Sequence, residues 1–248
     1  LDLFNQEVLE EKKQVLYKSN TWITTPSEIE SLQKKILKHN KLAIELLFEL
    51  GNKESLKFIL IALENKAVFT IQLNNENKEI ANLLLIKIFK NQNILKVGFD
   101  VKKIIKTIYN LQCIPQSKNL FDIMLAGYLL NSDASNSIDR LSMQFIPNLL
   151  FDSPNDINPN LHEKQYINAL CNHLIVYLNL ELILAQKLKE DKLNQLFWDV
   201  EMKLVLVLAE MELVGFSVDQ KILKSYSSQL KESSSQLQAQ IFDISNKE

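Results

Sequence analysis

One stretch decides the fold of this chain: Lys96-Val97-Gly98-Phe99-Asp100-Val101-Lys102-Lys103-Ile104. The apolar residues from Ile94 to Val97 predict a brief buried strand, and a second helix is expected to begin near Asp100. A helical pattern from about Lys78 to Phe89 precedes the strand. Because strands and helices alternate in this way, the stretch predicts an α/β domain.

Three further strand candidates lie upstream. The run from Leu42 to Phe48 is nearly all apolar, as expected of a strand that is covered on both faces. The runs 58–63 and 67–73 flank Glu64-Asn65-Lys66, so we expect them to form a hairpin with a short polar loop. These strands and helices together predict a mixed sheet flanked by helices.

Two capping signals mark helix starts. Thr25-Pro26-Ser27-Glu28 has the spacing of a capping box and predicts a helix to about Lys38. Asp219 is expected to cap a last, polar helix after a break at residues 214–218.

The rest of the chain is predicted to be helical from residue 120 onward, apart from a loop with two prolines. An N-terminal helix is expected at residues 3–17. The apolar rows at residues 193–211 are expected to pack into the core. The loop and the amphipathic segment before those rows span residues 151–160 and 161–190.

Composition excludes several kinds of protein. The 28 basic and 30 acidic side chains give 248 residues a formal charge of −2, so no global charge attracts nucleic acid. Cys113 and Cys171 are the only cysteines, and their spacing fits neither a disulfide framework nor a zinc site. No apolar run approaches the ~18 residues that span a bilayer, so we expect a cytoplasmic protein without a membrane partner. Because residue 1 is not Met, we expect a piece of a longer chain.

Three segments of the sequence resemble one family. The stretch from Lys96 to Ile104, the run from Leu120 to Ser132, and the C-terminal segment from Leu196 to Asp219 resemble the 3′-5′ exonuclease domain of family A DNA polymerases, the bacterial DNA polymerase I group. The resemblance implies a ribonuclease H-like fold, followed by helices that lead to the polymerase thumb. It divides the chain into a linker helix at 1–17, an exonuclease-like domain at 18–190 and thumb-leading helices at 191–248.

The same resemblance implies where metal ligands should lie. Phosphodiester cleavage by two metal ions needs about four converging carboxylates. The family supplies them as an Asp-x-Glu on the first strand, an Asp that closes the second motif, and an Asp with a nearby Tyr on a later helix. These positions correspond here to Glu45, Leu47, Ile104, His173 and, for the tyrosine, Ala169.

Other registers do not restore the ligands. A shifted first motif would place Gln72 and Asn74 at the acidic positions, and no aspartate occurs between Asp156 and Asp191. With at most one carboxylate of four, two divalent cations would repel each other without compensation. We therefore expect a degenerate, catalytically inactive domain with no cofactor, where Mg²⁺ would enter only if the domain were an active nuclease.

Several polar residues have a structural and a functional interpretation. Asp100 could replace the missing ligand from four residues upstream, but one helical turn would displace an ion by ~5 Å. Asp122 opens an apolar helix, so we expect an N-terminal structural role. His173 and Cys171 are expected to be packed rather than to bind metal.

Nucleic-acid contact is expected, if anywhere, at the basic cluster of Lys102, Lys103 and Lys106, although a solvated helix face is the default for such a cluster.

Three functions remain open. The first is a scaffold for the polymerase domain of the same parent chain, in DNA replication and repair, with DNA reached weakly or through the parent. The second is an active metal-dependent 3′-5′ exonuclease that uses Glu45 and Asp100. The third is a free-standing nucleic-acid-binding module.

Overall fold

The computed structural model describes residues 14–49, 51–132 and 137–245, and for residues 52–54 it describes the backbone alone. A six-stranded mixed sheet forms the centre, with strand order β1-β4-β3-β2-β5-β6. Of these six strands, β3 runs antiparallel to its neighbours β2 and β4, and the other pairs are parallel. The strands are β1 (Ser19–Ile23), β2 (Lys41–Glu49), β3 (Asn52–Leu63), β4 (Ala67–Gln72), β5 (Leu95–Gly98) and β6 (Leu120–Asp122).

Helices cover the sheet. In β2, the consecutive residues Leu42, Ala43 and Ile44 are all buried. Because successive side chains of a strand point to opposite faces, both faces of the sheet must be covered. The helices of the first half are α1 (Pro26–Ile36), α2 (Lys78–Lys90), α3 (Val101–Asn110), α4 (Ile123–Leu130) and α5 (Ile138–Phe145). The helices of the second half are α6 (Glu163–Glu190), α7 (Asn194–Leu196), α8 (Met202–Val214) and α9 (Gln220–Ser245), with a π-helical segment at Phe197–Glu201.

Most of the predicted elements are confirmed. The hairpin forms between β3 and β4, with its turn at Glu64-Asn65-Lys66. Glu28 closes the predicted capping box, because its Oε2 accepts the backbone N–H of Thr25 at 3.0 Å. Asp219 caps α9 by accepting the N–H of Lys221 at 2.8 Å.

Two strands at the edges of the sheet were not predicted. Residues 120–122 were expected to be helical, and this was wrong, because Leu120, Phe121 and Asp122 pair with β5 as β6. Three residues are too few to show a strand period, so the helical pattern of α4 dominated the sequence signal. The other missed strand is β1, which pairs with β4.

The N-terminal helix predicted at residues 3–17 lies largely outside the described residues. Residues 14–17, which the structure does describe, have no helical structure. They run across the domain, where the N–H of Gln14 donates to Leu150 O at 2.8 Å and the N–H of Leu16 to Asn172 Oδ1 at 2.9 Å. Asn172, which is buried, thus holds this segment against α6.

The long helix α6 is the core helix of the second layer. It contacts β2, β3 and β5 of the sheet, and it also contacts α4 and α5. Among the described helices, α6 is the one that is long and apolar enough to cross a membrane, since an 18-residue stretch of it has a mean hydropathy of 1.5. Within the protein, however, 78% of that stretch is buried. Its apolar composition is therefore accounted for by packing on the sheet.

The chain forms two compact units, of which the first ends at Met211 and the second begins at Glu212. The expectation that the apolar rows at 193–211 pack into the core is largely wrong. Of the residues that form these rows, Phe197 is buried and Leu193 is half-buried, whereas the others are exposed. The residues of this segment that are buried beside Phe197 are Met202, Val205 and Ala209. The exposed members are Leu196, Val200, Leu204, Val207, Leu208 and Met211.

Asp122 joins two helix starts. Its carboxylate accepts the backbone N–H groups of Asp100 (3.2 Å) and Val101 (2.8 Å) at the start of α3, and those of Met124 (2.9 Å) and Leu125 (3.4 Å) at the start of α4. The side chain is 1% exposed. The predicted structural role at the start of α4 is thereby confirmed, and the link to α3 adds a second role.

We predict that Asp122→Ala lowers the free energy of unfolding by about 2–4 kcal/mol, because it leaves buried N–H groups of two helix starts without acceptors. Asp122→Asn, which keeps one acceptor oxygen, should lose about half as much. Urea unfolding monitored by circular dichroism measures both. The exposed Asp191→Ala provides the control and should change stability by less than about 0.5 kcal/mol. A loss no larger than that of the control would contradict the role of Asp122.

Candidate active site

Apolar side chains pack against Gly98 at the turn between β5 and α3. A Cβ atom placed on Gly98 would lie 3.1 Å from Ile104 Cδ1, 3.0 Å from Val101 Cγ1 and 3.5 Å from Ile44 O. Ile104 is 3% exposed. The terminal methyl group of Ile104 therefore packs near Gly98 at the end of β5.

Asp100, two residues after Gly98, has a backbone conformation that is uncommon for a residue other than glycine. Its φ and ψ angles are 51° and 59°, in the left-handed region that costs about 1 kcal/mol or more. The bonds from the N–H groups of Asp100 and Val101 to Asp122 hold the backbone there. The Asp100 Oδ2 atom lies 2.9 Å from Lys103 Nζ. The turn therefore presents an ion pair at the start of α3.

The buried Asp122 carboxyl has a pKa of about 6, raised from its ordinary value of 3.8. Burial is the main cause, and the negative charge of Asp100 adds to it, whereas the backbone N–H donors oppose the shift. The four hydrogen-bond donors to Asp122 described above are all backbone N–H groups. Its oxygens are thus engaged in holding the fold rather than directed toward solvent.

Glu45 is the carboxylate that β2 places toward α6. Its Oε2 accepts a hydrogen bond from the Tyr177 hydroxyl at 3.0 Å. Burial raises the pKa of Glu45 from 4.5 to about 7, opposed by the Tyr177 hydroxyl, the Lys103 charge and the Leu46 N–H, and reinforced by Asp100. Burial and the Glu45 carboxylate in turn raise the pKa of Tyr177 well above its usual value. This environment favours neutral side chains.

The residues assigned to the third motif lie at buried positions of α6. Ala169 is buried, and the His173 Nε2 atom lies 3.6 Å from Asp139 Oδ1, which is too long for a hydrogen bond. His173 is the main cause of the lowered pKa of Asp139, which also accepts the Ser153 hydroxyl at 2.9 Å. The packed role expected for His173 agrees with this position against Phe151, at 5.6 Å between ring centroids.

Tyr177 is a neighbour of Glu45 that was not predicted from the sequence. It lies four residues after His173, hence on the same face of α6, and that spacing could have indicated it. Its ring also stacks on Phe99 of the turn before α3, at 6.4 Å between centroids. Tyr177 thus connects α6 with β2 and with the turn before α3.

The other predicted positions are also accounted for. Leu47 lines a cavity of about 390 Å³ that is further bounded by Phe48, Lys57, Glu163 and Tyr166. Lys57 and Glu163 form an ion pair at this cavity. Cys171 is buried, with its Sγ atom 3.9 Å from Thr70 Oγ1.

The basic cluster lies along α3. The Lys103 side chain is 70% exposed, and Lys102 and Lys106 are partly exposed. Lys103 is engaged with Asp100. Contact of this cluster with nucleic acid stays a prediction.

The side chains at the assigned ligand positions do not fit the pair of Mg²⁺ ions that cleavage of a phosphodiester bond by two metal ions requires. Within residues 14–49, 51–132 and 137–245, no three His, Cys, Asp or Glu side chains come together in a group that could hold a metal ion. Mg²⁺ requires oxygen ligands in octahedral geometry. Glu45 accepts a hydrogen bond from Tyr177 and Asp122 accepts backbone N–H groups. Leu47, Ile104 and Ala169 carry hydrocarbon, and His173 packs beside Phe151. No step can be assigned to a metal ion at these residues.

We predict that Gly98→Ala destabilises the protein by about 1–3 kcal/mol through the contacts with Val101 and Ile104. Adding Ile104→Val, which removes the Cδ1 atom, should recover part of the loss, with a coupling energy of about 0.5–1.5 kcal/mol. Denaturant melts of the two single variants and the double variant measure the coupling. The buried neighbour Ile105→Val should show none, and equal coupling at both positions would contradict the packing of Ile104 on Gly98.

We predict that Glu45→Gln stabilises the protein by about 2–3 kcal/mol at about pH 8 and changes it little at about pH 4. The folded pKa of about 7 lies above the ordinary 4.5, so the folded state binds this proton more tightly. The contribution is therefore fully present below about pH 4.5 and is lost as the pH rises through 7. Urea unfolding across this range measures the difference between variant and wild type. A difference that does not change with pH would contradict the prediction.

Comparison with known proteins assigns the family and the fold. A sequence profile described as 3′-5′ exonuclease matches residues 20–155. The chain is similar to DNA polymerase I of Caldicellulosiruptor bescii, with 28% identity over 205 residues that cover 81% of this chain and 21% of the relative. For DNA polymerase I of Streptococcus pneumoniae serotype 4 the identity is 24% over 228 residues, covering 79% and 26%. The chain thus spans about a quarter or less of the length of these relatives.

Solved structures share the fold at low identity. Brucella melitensis NrnC bound to pGG has a TM-score of 0.61 and 15% identity, over 82% of this chain and 95% of that chain. The POL domain of Pol1 from M. smegmatis, in complex with DNA primer-template and dNTP, has a TM-score of 0.62 and 16% identity, over 93% and 38%. RNase D of Trypanosoma brucei in complex with GMP has a TM-score of 0.57 and 9% identity, over 68% and 58%.

These likenesses confirm the expected ribonuclease H-like mixed sheet flanked by helices. With the profile matching more than half of its residues, this chain belongs to the 3′-5′ exonuclease family.

Proposed function

We propose that this exonuclease domain does not hydrolyse phosphodiester bonds and that it is a structural module beside the polymerase domain of the same parent chain. The observation that carries the proposal is the packing of Ile104 against Gly98, where a metal ligand would be required. The Tyr177 hydroxyl on Glu45 supports it, because it supplies a neutral donor in place of a cation.

The role as a module is supported by α8. One side of this helix packs into the domain through Met202, Val205 and Ala209, whereas Leu204, Val207 and Met211 are 43%, 51% and 62% exposed. An apolar row of this kind typically lies in an interface. The similarity to DNA polymerase I chains suggests the polymerase domain as the covering partner. The domain would then take part in DNA replication and repair by supporting the polymerase.

A second candidate function is nucleic-acid binding without cleavage. It is favoured by the cavity beside Leu47, which is lined by the aromatic rings of Phe48 and Tyr166, and by the lysines of α3. Aromatic rings with nearby basic groups are the usual contacts of single-stranded nucleic acid.

We predict that a primer with a mismatched 3′ end stays at full length when it is incubated with this chain and Mg²⁺ or Mn²⁺. The reason is that no site in the described residues can hold the two ions that the reaction needs. A gel of the labelled primer measures its length, with Glu45→Ala as the matched control. Degradation above the enzyme-free sample that Glu45→Ala abolishes would contradict the proposal and favour an active nuclease built on Glu45 and Asp100.

The same labelled primer separates the scaffold from the binding module. Anisotropy that rises with protein, falls steeply with salt and is weakened by Lys102→Glu would favour the second candidate. If the anisotropy does not change when protein is added, the primer is not bound, and the result favours the scaffold function.

A further inference from the structure

A groove of about 510 Å³ lies between the turn that leads into β6 and the start of α8. Residues 116–118 line one side of it, and Trp198, Asp199, Lys203 and Leu206 line the other. All of these residues belong to the compact unit that ends at Met211. The groove shares no lining residue with the cavity beside Leu47, so the two are separate sites.

A rare type of helix places an aromatic ring in this groove. The segment Phe197–Glu201 is π-helical, and such segments often occur at functional sites, because an extra residue in a helical turn redirects the side chains. Trp198 lies in this segment, and its ring contacts Phe121 and Phe197 at 6.0 and 5.0 Å between centroids. Trp198 is nevertheless only half-buried. Part of the indole is therefore available in the groove.

The charged groups of the groove carry one net positive charge. The Lys203 Nζ atom lies 3.3 Å from Asp199 Oδ1, so these two charges compensate each other. Lys118 is exposed, and no ion pair joins it to an acidic group in the part of the chain that the structure describes. Ser117 adds a hydroxyl group next to it in the chain. An anion is therefore attracted to the side of the groove that carries Lys118.

We propose that this groove binds one free nucleotide, with the base on the indole of Trp198 and the phosphate at Lys118. Aromatic side chains bind bases by stacking, and this contact accepts any base because every base has a π-face. The volume of about 510 Å³ lies within the range of about 300–1,000 Å³ that is usual for small-molecule sites. A long strand is less suited, since only two lysines line the groove and the chain has a formal charge of −2.

The test uses the fluorescence of Trp198. The chain has two tryptophans, and the other one, Trp22, lies on β1, at the opposite edge of the sheet from β6. In Trp22→Phe, Trp198 is the only indole, and dAMP should quench its emission until the site is saturated. Deoxyadenosine lacks the phosphate and deoxyribose phosphate lacks the base, so each should bind at least about fivefold more weakly.

Variants of the charged groups test the position of the phosphate. Lys118→Ala should weaken the binding of dAMP by at least about fivefold, and Asp199→Asn should tighten it by about threefold, because it frees the charge of Lys203. Lys34→Ala removes an exposed lysine of α1 and is the matched control, with unchanged affinity. Circular dichroism shows whether each variant is folded. Line broadening of the dAMP proton resonances by the wild type and by Lys118→Ala repeats the comparison without a tryptophan substitution.

The proposal would be overturned if dAMP left the Trp198 emission unchanged, if deoxyribose phosphate bound as tightly as dAMP, or if Lys34→Ala lost as much affinity as Lys118→Ala. A strand of eight deoxyadenylates that bound more than about eightfold more tightly than dAMP would also overturn it, because the groove would then hold a strand. None of these results decides whether the chain cleaves a primer. Primer cleavage would refute the proposed function and would not affect the nucleotide site.

Discussion

The bonds between one buried carboxylate and two helix starts organise the domain. Asp122 ends β6, and its two oxygens accept N–H groups from the first residues of both α3 and α4. These donors have no partner within their own helices, so a single side chain satisfies both ends. The dipoles of the helices also favour a negative charge at this place. The relative position of β6, α3 and α4 follows from this one group.

The same hydrogen bonds position the residues of the candidate site. They hold Asp100 in a left-handed conformation, which brings its carboxylate to Lys103. They also start α3 so that Ile104, one turn later, packs on Gly98. The groups around this turn are a methyl, a phenol, an ammonium and a carboxyl group whose pKa is about 7. Each polar group of this set has a partner within the protein.

The central elements could be predicted because their signals are local. The apolar run of β2, the hairpin turn and the capping box at Thr25 each depend on residues close in sequence. The edge strands β1 and β6 could not be predicted in the same way. Each has five residues or fewer, and such a strand is defined by the neighbour that it pairs with rather than by its own period. The apolar rows at residues 193–211 likewise did not show that most of their side chains are exposed, because apolar spacing within a helix does not tell which neighbour covers it.

The sequence by itself determined the family of this protein, the order of its central strands and helices, and the absence of carboxylates at Leu47 and Ile104, because these are properties of residue identity and local spacing. Only the tertiary structure decided that the hydrogen bond to Glu45 comes from Tyr177, and that Asp122 joins two helices. Contacts of this kind join residues that are up to 132 positions apart. They depend on how α6 lies across the sheet, which is set by the packing of the whole core.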